Sequence, residues 1–88
     1  MYVYKVSDRI DTSNAAEFEK SIAEAHDTYG ELEIDASDLV YISSAGLRVL
    51  LKARKAQGSL TIKNVNSEVY EILDVTGFVD ILNVEKAD

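Results

Sequence analysis

Apolar and polar side chains alternate at the start of the chain: Tyr2, Tyr4 and Val6 fall on one side, Val3 and Lys5 on the other, the two-residue period of a strand. From residue 15 the period changes. Ala15, Phe18, Ile22, Ala25 and Tyr29 recur at three- and four-residue steps, drawing one apolar stripe along a helix over 14–29 that Gly30 ends. Ahead of it, Asp11-Thr12-Ser13-Asn14 offers N-cap candidates, and Asn14 with Glu17 resembles a capping box with Asn in the Ser/Thr place.

Leu32 and Ile34 alternate with Glu31, Glu33 and Asp35, which predicts a second strand ending in the turn-forming stretch Ala36-Ser37-Asp38. A short apolar run, Leu39-Val40-Tyr41-Ile42, then leads into Ser43-Ser44-Ala45-Gly46. A second helix over 45–57 follows. It puts Leu47, Leu50, Leu51 and Arg54 inward with Ala53 beside them, puts Arg48, Lys52 and Lys55 outward, and closes at Gly58. Leu60, Ile62 and Val65 mark a third strand. Asn66 or Ser67 caps a third helix over 67–76 that turns Val69, Ile72, Leu73 and Thr76 inward and stops at Gly77, and Val79 to Val84 reads as a last short strand. Strands alternating with helices predict an α/β fold: a mixed, mostly parallel sheet of about four strands with three amphipathic helices, the first two strands neighbours through their crossover.

At 88 residues and 47% hydrophobic content, the chain supports one core, so a single domain over 1–88 is expected. Charge narrows the partners. With 16 acidic against 9 basic residues and a net charge of −7, neither nucleic acid nor an anionic membrane is an expected partner. The absence of cysteine rules out disulfides and thiolate chemistry. No apolar run is long enough to span a bilayer, and the first residues do not read as a secretory signal, so a cytoplasmic setting is expected.

The chemistry of turnover is missing too. The single histidine, His26, falls on the first helix as a solvated residue, with no nucleophile and orienting group set beside it. Ser43-Ser44-Ala45-Gly46 is not a Gly-x-Ser-x-Gly elbow, and no phosphate-cradling Gly-Lys-Ser/Thr loop exists. No enzyme activity, cofactor or metal is expected. Asp11 follows the first strand while Asp35 and Asp38 follow the second, so all three can converge where open α/β sheets place ligands. The plainer reading, that they cap helices and start turns, is favoured.

Three blocks nevertheless resemble a known family. The stretch from Leu32 to Leu51, with a strand ending in Asp35, a short turn, an apolar segment and Ser43-Ser44-Ala45-Gly46-Leu47 opening a helix, is similar to the STAS-domain signature of the bacterial anti-sigma factor antagonists. Leu60 to Val65, followed by Val69, Ile72-Leu73 and Thr76-Gly77-Phe78, resembles the family's later strand and helix, and Arg9-Ile10-Asp11 its Gly-x-Leu-Asp element with Arg in place of Gly. Two features depart from the pattern. No counterpart of the family's first, N-terminal edge strand precedes Tyr2, which bears on how the sheet edge is protected, and Ser43 stands where many members carry Asp.

The resemblance implies a partner-switching regulator. Unphosphorylated, it captures an anti-sigma factor serine kinase of the histidine-kinase-like ATPase class, freeing the sigma factor. Phosphorylation by that kinase breaks the capture, and a phosphoserine phosphatase resets it. By position Ser44 is the acceptor, with Ser43 the alternative, and Asp11, Asp35, Asp38, Ser43, Ser44 and Arg48 form the implied partner surface. A helix N-terminus at Ser44 supplies a physical reason, since its N–H groups and dipole tolerate an added anion that changes the surface a partner touches. Two rival readings remain: a STAS adaptor in a transport or signalling complex without phosphorylation, and a receiver domain with Asp35 as its acylphosphate site, which needs five βα units where the pattern shows about three.

Overall fold

A computed structural model describes residues 1–87. Four strands, β1 (Tyr2–Ile10), β2 (Leu32–Ile42), β3 (Thr61–Val65) and β4 (Asn83–Lys86), alternate with helices α1 (Ala15–Tyr29), α2 (Ser44–Gln57) and α3 (Ser67–Val75). A 3₁₀ turn, Phe78–Asp80, precedes β4. The strands lie in the order β1-β2-β3-β4, and every pairing is parallel, so the mostly parallel sheet expected from the sequence is parallel throughout its described pairs. Strands added in sequence order through crossovers of the usual right hand carry their helices to one face.

The burial pattern follows from that topology. On the helix side, Ile34 and its register partner Ile62 are each 1% exposed, while the opposite side presents Lys5, Asp35 and Lys63, also in register, to water. Parallel sheets are usually covered on both faces and therefore read as continuous apolar runs. One bare face explains the clean alternation of Leu32 and Ile34 with Glu33 and Asp35. Lys63 pairs with Glu33 at 3.2 Å across it.

The structure corrects several local expectations. Ala36-Ser37-Asp38 does not turn. β2 runs on to Ile42, and two register shifts against β1 each give it one extra residue. Its buried positions step Leu32, Ile34, Ala36, Leu39, Ile42, and the lengthened steps are bulges that return each apolar residue to the core side. Asp8 sits between the two shifts at φ 58°, a left-handed conformation that a short polar side chain tolerates. Likewise the last strand is present but begins later than Val79: the 3₁₀ turn takes 78–80, and pairing begins only at Asn83.

Asn14 stands at the N-cap of α1 without capping it. Its amide instead ties back to the end of β1, accepting from the Asp11 N–H at 2.8 Å and donating to the Arg9 carbonyl at 2.9 Å. In α2 the buried set is Gly46, Leu47, Val49, Leu50 and Ala53, with Val49 where Leu51 was expected. His26 is not simply solvated either. It lines a groove of about 290 Å³ between α1 and α2, and its Nδ1 is buried without a partner among the described residues.

Candidate functional site

Where β1 and β2 end side by side, the Ser43 N–H donates to the Ile10 carbonyl at 2.8 Å. One residue further along each chain lie Asp11 and Ser44. Ser43 is extended (φ −86°, ψ 172°), and its Oγ accepts from the Gly46 N–H at 3.3 Å, so Ser43 is the N-cap of α2 and Ser44 the first helical residue. The two serines therefore differ in kind. The Ser43 hydroxyl serves the helix, whereas Ser44 is exposed on its first turn. That turn holds no acidic residue, which leaves the positive end of the helix dipole without a compensating charge. Arg48, four residues on and exposed, lies on the same side of the helix one turn above Ser44.

Gly46 brings this helix start down onto the strand ends. A β-carbon there would stand 2.7 Å from Ile42 Cγ1 and 2.8 Å from Ile10 Cγ2, so only glycine lets α2 begin so close to the sheet. The sequence singled out Ser-Ser-Ala-Gly as a helix start but could not show what the glycine touches.

Of the three aspartates on the implied partner surface, only Asp11 reaches this place. It closes the turn into α1, its carboxylate accepting from the Ser13 Oγ at 2.6 Å and the Ser13 N–H at 3.0 Å, with the Arg9 Nε at 3.4 Å. Asp35 and Asp38 lie within β2, in register with Lys5 and Ser7, well before the strand reaches Ser43. Asp35 accepts from the Asn64 amide and the Ser37 N–H, each at 3.0 Å, and Asp38 pairs with Lys5 at 3.1 Å. Because β2 extends past the expected turn, the strand end moved and left these two behind. Among the described residues no group of three His, Cys, Asp or Glu side chains is placed to hold a metal ion, and no helix is long and apolar enough to cross a membrane.

These contacts set the acid response. The Ser13 hydroxyl holds the Asp11 carboxyl below the ordinary aspartate range, and the Asn64 amide, with the Ser37 N–H, does the same for Asp35. A carboxyl whose pKa is lower folded than unfolded contributes stability above its unfolded pKa and loses it as pH falls through the folded one. Denaturant midpoints are expected to hold level from neutrality to about pH 5 and to drop below about pH 4. In Asp35→Asn that drop should be shallower, and an equally steep acid limb in the variant would show that Asp35 does not contribute.

The profile of the family described as "STAS domain" matches residues 1–87. The chain belongs to the STAS domain family. A Bordetella bronchiseptica protein, BtrV, provisionally named as an anti-sigma factor antagonist, is 36% identical over 81 residues, covering 85% of this chain and 69% of that protein. The anti-sigma-B factor antagonist of Bacillus subtilis is 25% identical over 83 residues, covering 90% of this chain and 76% of the relative. A crystal structure from Thermotoga maritima, provisionally named in the same way, matches this STAS domain with a TM-score of 0.78 at 22% identity, over 96% of this chain and 79% of that one. That last likeness bears on the fold alone. Within the STAS domain, the Arg9 guanidinium lies 4.9 Å over the Tyr41 ring, a contact between two strands that the apolar run Leu39-Val40-Tyr41-Ile42 did not signal.

Proposed function

We propose that this STAS domain is an anti-sigma factor antagonist that captures an anti-sigma factor serine kinase of the histidine-kinase-like ATPase class and is released from it by phosphorylation of Ser44. The observation that carries the reading is the division of labour at the start of α2: Ser43 holds the cap, so the Ser44 hydroxyl is exposed and can be modified without unlocking the helix. The names of the Bordetella and Bacillus relatives support the same role. A phosphate of about −1.5 to −2 charge at Ser44 is accommodated by the helix dipole and by Arg48, yet it stands beside Asp11 and deepens the negative field a partner meets. Ser43 is the poorer acceptor, because its Oγ is already engaged by the Gly46 N–H and is half-buried, whereas Ser44 is exposed. Asp11, Ser43, Ser44 and Arg48 make up the contact surface; Asp35 and Asp38 act within the sheet. The protein turns over no substrate of its own, works in the cytoplasm and is reset by a phosphoserine phosphatase.

The test is direct. Incubation with the purified anti-sigma kinases of its own organism and ATP should yield one acid-stable phosphoserine, mapped by mass spectrometry to Ser44 and absent from Ser44→Ala. An alkali-labile phosphate on Asp35 would point to receiver chemistry. Binding to a transport or signalling protein with no phosphate at all would point to an adaptor.

A further inference from the structure

At the second bulge of β2 two consecutive large side chains leave the core together. Inward positions step from Leu39 to Ile42, and the residues between them, Val40 and Tyr41, are 56% and 39% exposed. A single exposed valine or tyrosine needs no explanation, but this pair is held in place. Tyr41 stands in register with Arg9, whose guanidinium covers its ring, and Arg9 is in turn fixed by the Asp11 carboxylate. Asp11 neutralises the cation, so the patch is apolar at its centre, while Asp8 and Asp38, both exposed, lie beside it at the register positions of Leu39 and Ser7. Only Ile42 separates Tyr41 from the Ser43 cap. The patch and Ser44 therefore share one end of the sheet.

We propose that Val40 and Tyr41, with Arg9 clamping the ring, form the apolar anchor by which this chain grips the partner that senses Ser44. The inference rests on the function proposed above and adds a second contact to it: Ser44 switches the complex, and the anchor holds it. The occupant is a protein surface with an apolar recess for the Tyr41 ring and a basic rim, matched to the exposed Asp8 beside the patch and to a chain of net charge −7. Tyrosine and arginine are the residue types that most often dominate interface energetics. A ring already stacked under a guanidinium loses little freedom on docking, so the bulge supplies a preorganised contact where a regular strand would have buried one of the two residues.

The experiment titrates the anti-sigma kinase, loaded with a non-hydrolysable ATP analogue so that Ser44 is not phosphorylated during the measurement, against the parent chain, Tyr41→Ser, Val40→Ser and a control, Val75→Ser. Val75 is 76% exposed at the far end of α3, so it tests for a non-specific loss of surface apolarity. Tyr41→Ser should weaken binding by about thirtyfold or more and Val40→Ser by several-fold, while Val75→Ser stays within about twofold. All three should unfold cooperatively near the parent temperature, since each replaced side chain is exposed. If Tyr41→Ser binds as tightly as a parent that does bind, or if Val75→Ser loses as much, the anchor is overturned and the Ser44 switch stands. If the parent fails to bind any such kinase, both fall together.

Discussion

Ser44→Asp should fold as well as the parent and fail to hold its partner, while Ser44→Ala should bind and lose almost no stability. The asymmetry comes from Ser43. Because Ser43 supplies the capping oxygen, truncating Ser44 removes no hydrogen bond from the helix. Replacing Ser44 with aspartate places a charge at the positive end of a first turn that has none, which is worth about 0.3–1 kcal/mol in favour of the folded state. Binding moves the other way, since the same carboxylate is desolvated at the contact beside Asp11. Ser43→Ala is the complementary variant: loss of the cap should cost about 0.5–2 kcal/mol of stability. Thermal unfolding of the three variants, paired with titration against the kinase, reads both axes at once. Should Ser44→Asp bind as tightly as the parent, Ser44 is an ordinary first-turn residue and the switch is lost.

Gly46→Ala should be destabilising although it raises helix propensity. In an open helix the change would gain about 1 kcal/mol. Here the new methyl meets Ile42 Cγ1 and Ile10 Cγ2 at under 3 Å, and both isoleucines are buried, stiff at χ1 and seated on strands. Overpacking of this kind costs about 1–3 kcal/mol. Retreat of α2 from the strand ends would also lengthen the Ser43-to-Gly46 contact that fixes the switch. A double-mutant cycle isolates the clash: in an Ile42→Ala background, which removes Cγ1, the penalty of Gly46→Ala should shrink or reverse. Equal penalties in both backgrounds would mean that the contact with Ile42 is not what requires glycine.

What could be read from the chain without coordinates was whatever repeats. The stripes of α1 and α3 and the two-residue alternation of Tyr2 to Val6 and of Leu32 to Asp35 placed their elements, because packing against one face leaves a period in the sequence. The start of α2 was legible through Ser43 and Ser44, although which of them caps depends on backbone angles that the letters do not carry. β2 beyond Asp35 was obscured because its bulges break the period, and Ser37 and Asp38 are residues that turns also favour. That one misreading displaced Asp35 and Asp38 toward the site and hid the outward turn of Val40 and Tyr41. The pairing of Asn14 with Arg9 and Asp11 was obscured for a related reason: an Asn ahead of a helix looks the same whether it bonds forward into the helix or back to a strand.

The sequential order of the strands also shapes how the molecule assembles. Register partners such as Tyr2 and Leu32, Glu33 and Thr61, or Thr61 and Asn83 are never more than about thirty residues apart, so each crossover closes a loop of similar, modest length and no strand waits for a distant segment to arrive. Growth can then proceed as in a solenoid, one strand-helix unit docking on the last. The seam between the first two units, where Ile10, Ile42 and Gly46 meet, involves neither β3 nor β4. The close contacts that seat Gly46 and the Ser43–Ile10 bond thus come from residues 10–46, while the core beneath them continues through β3 and α3.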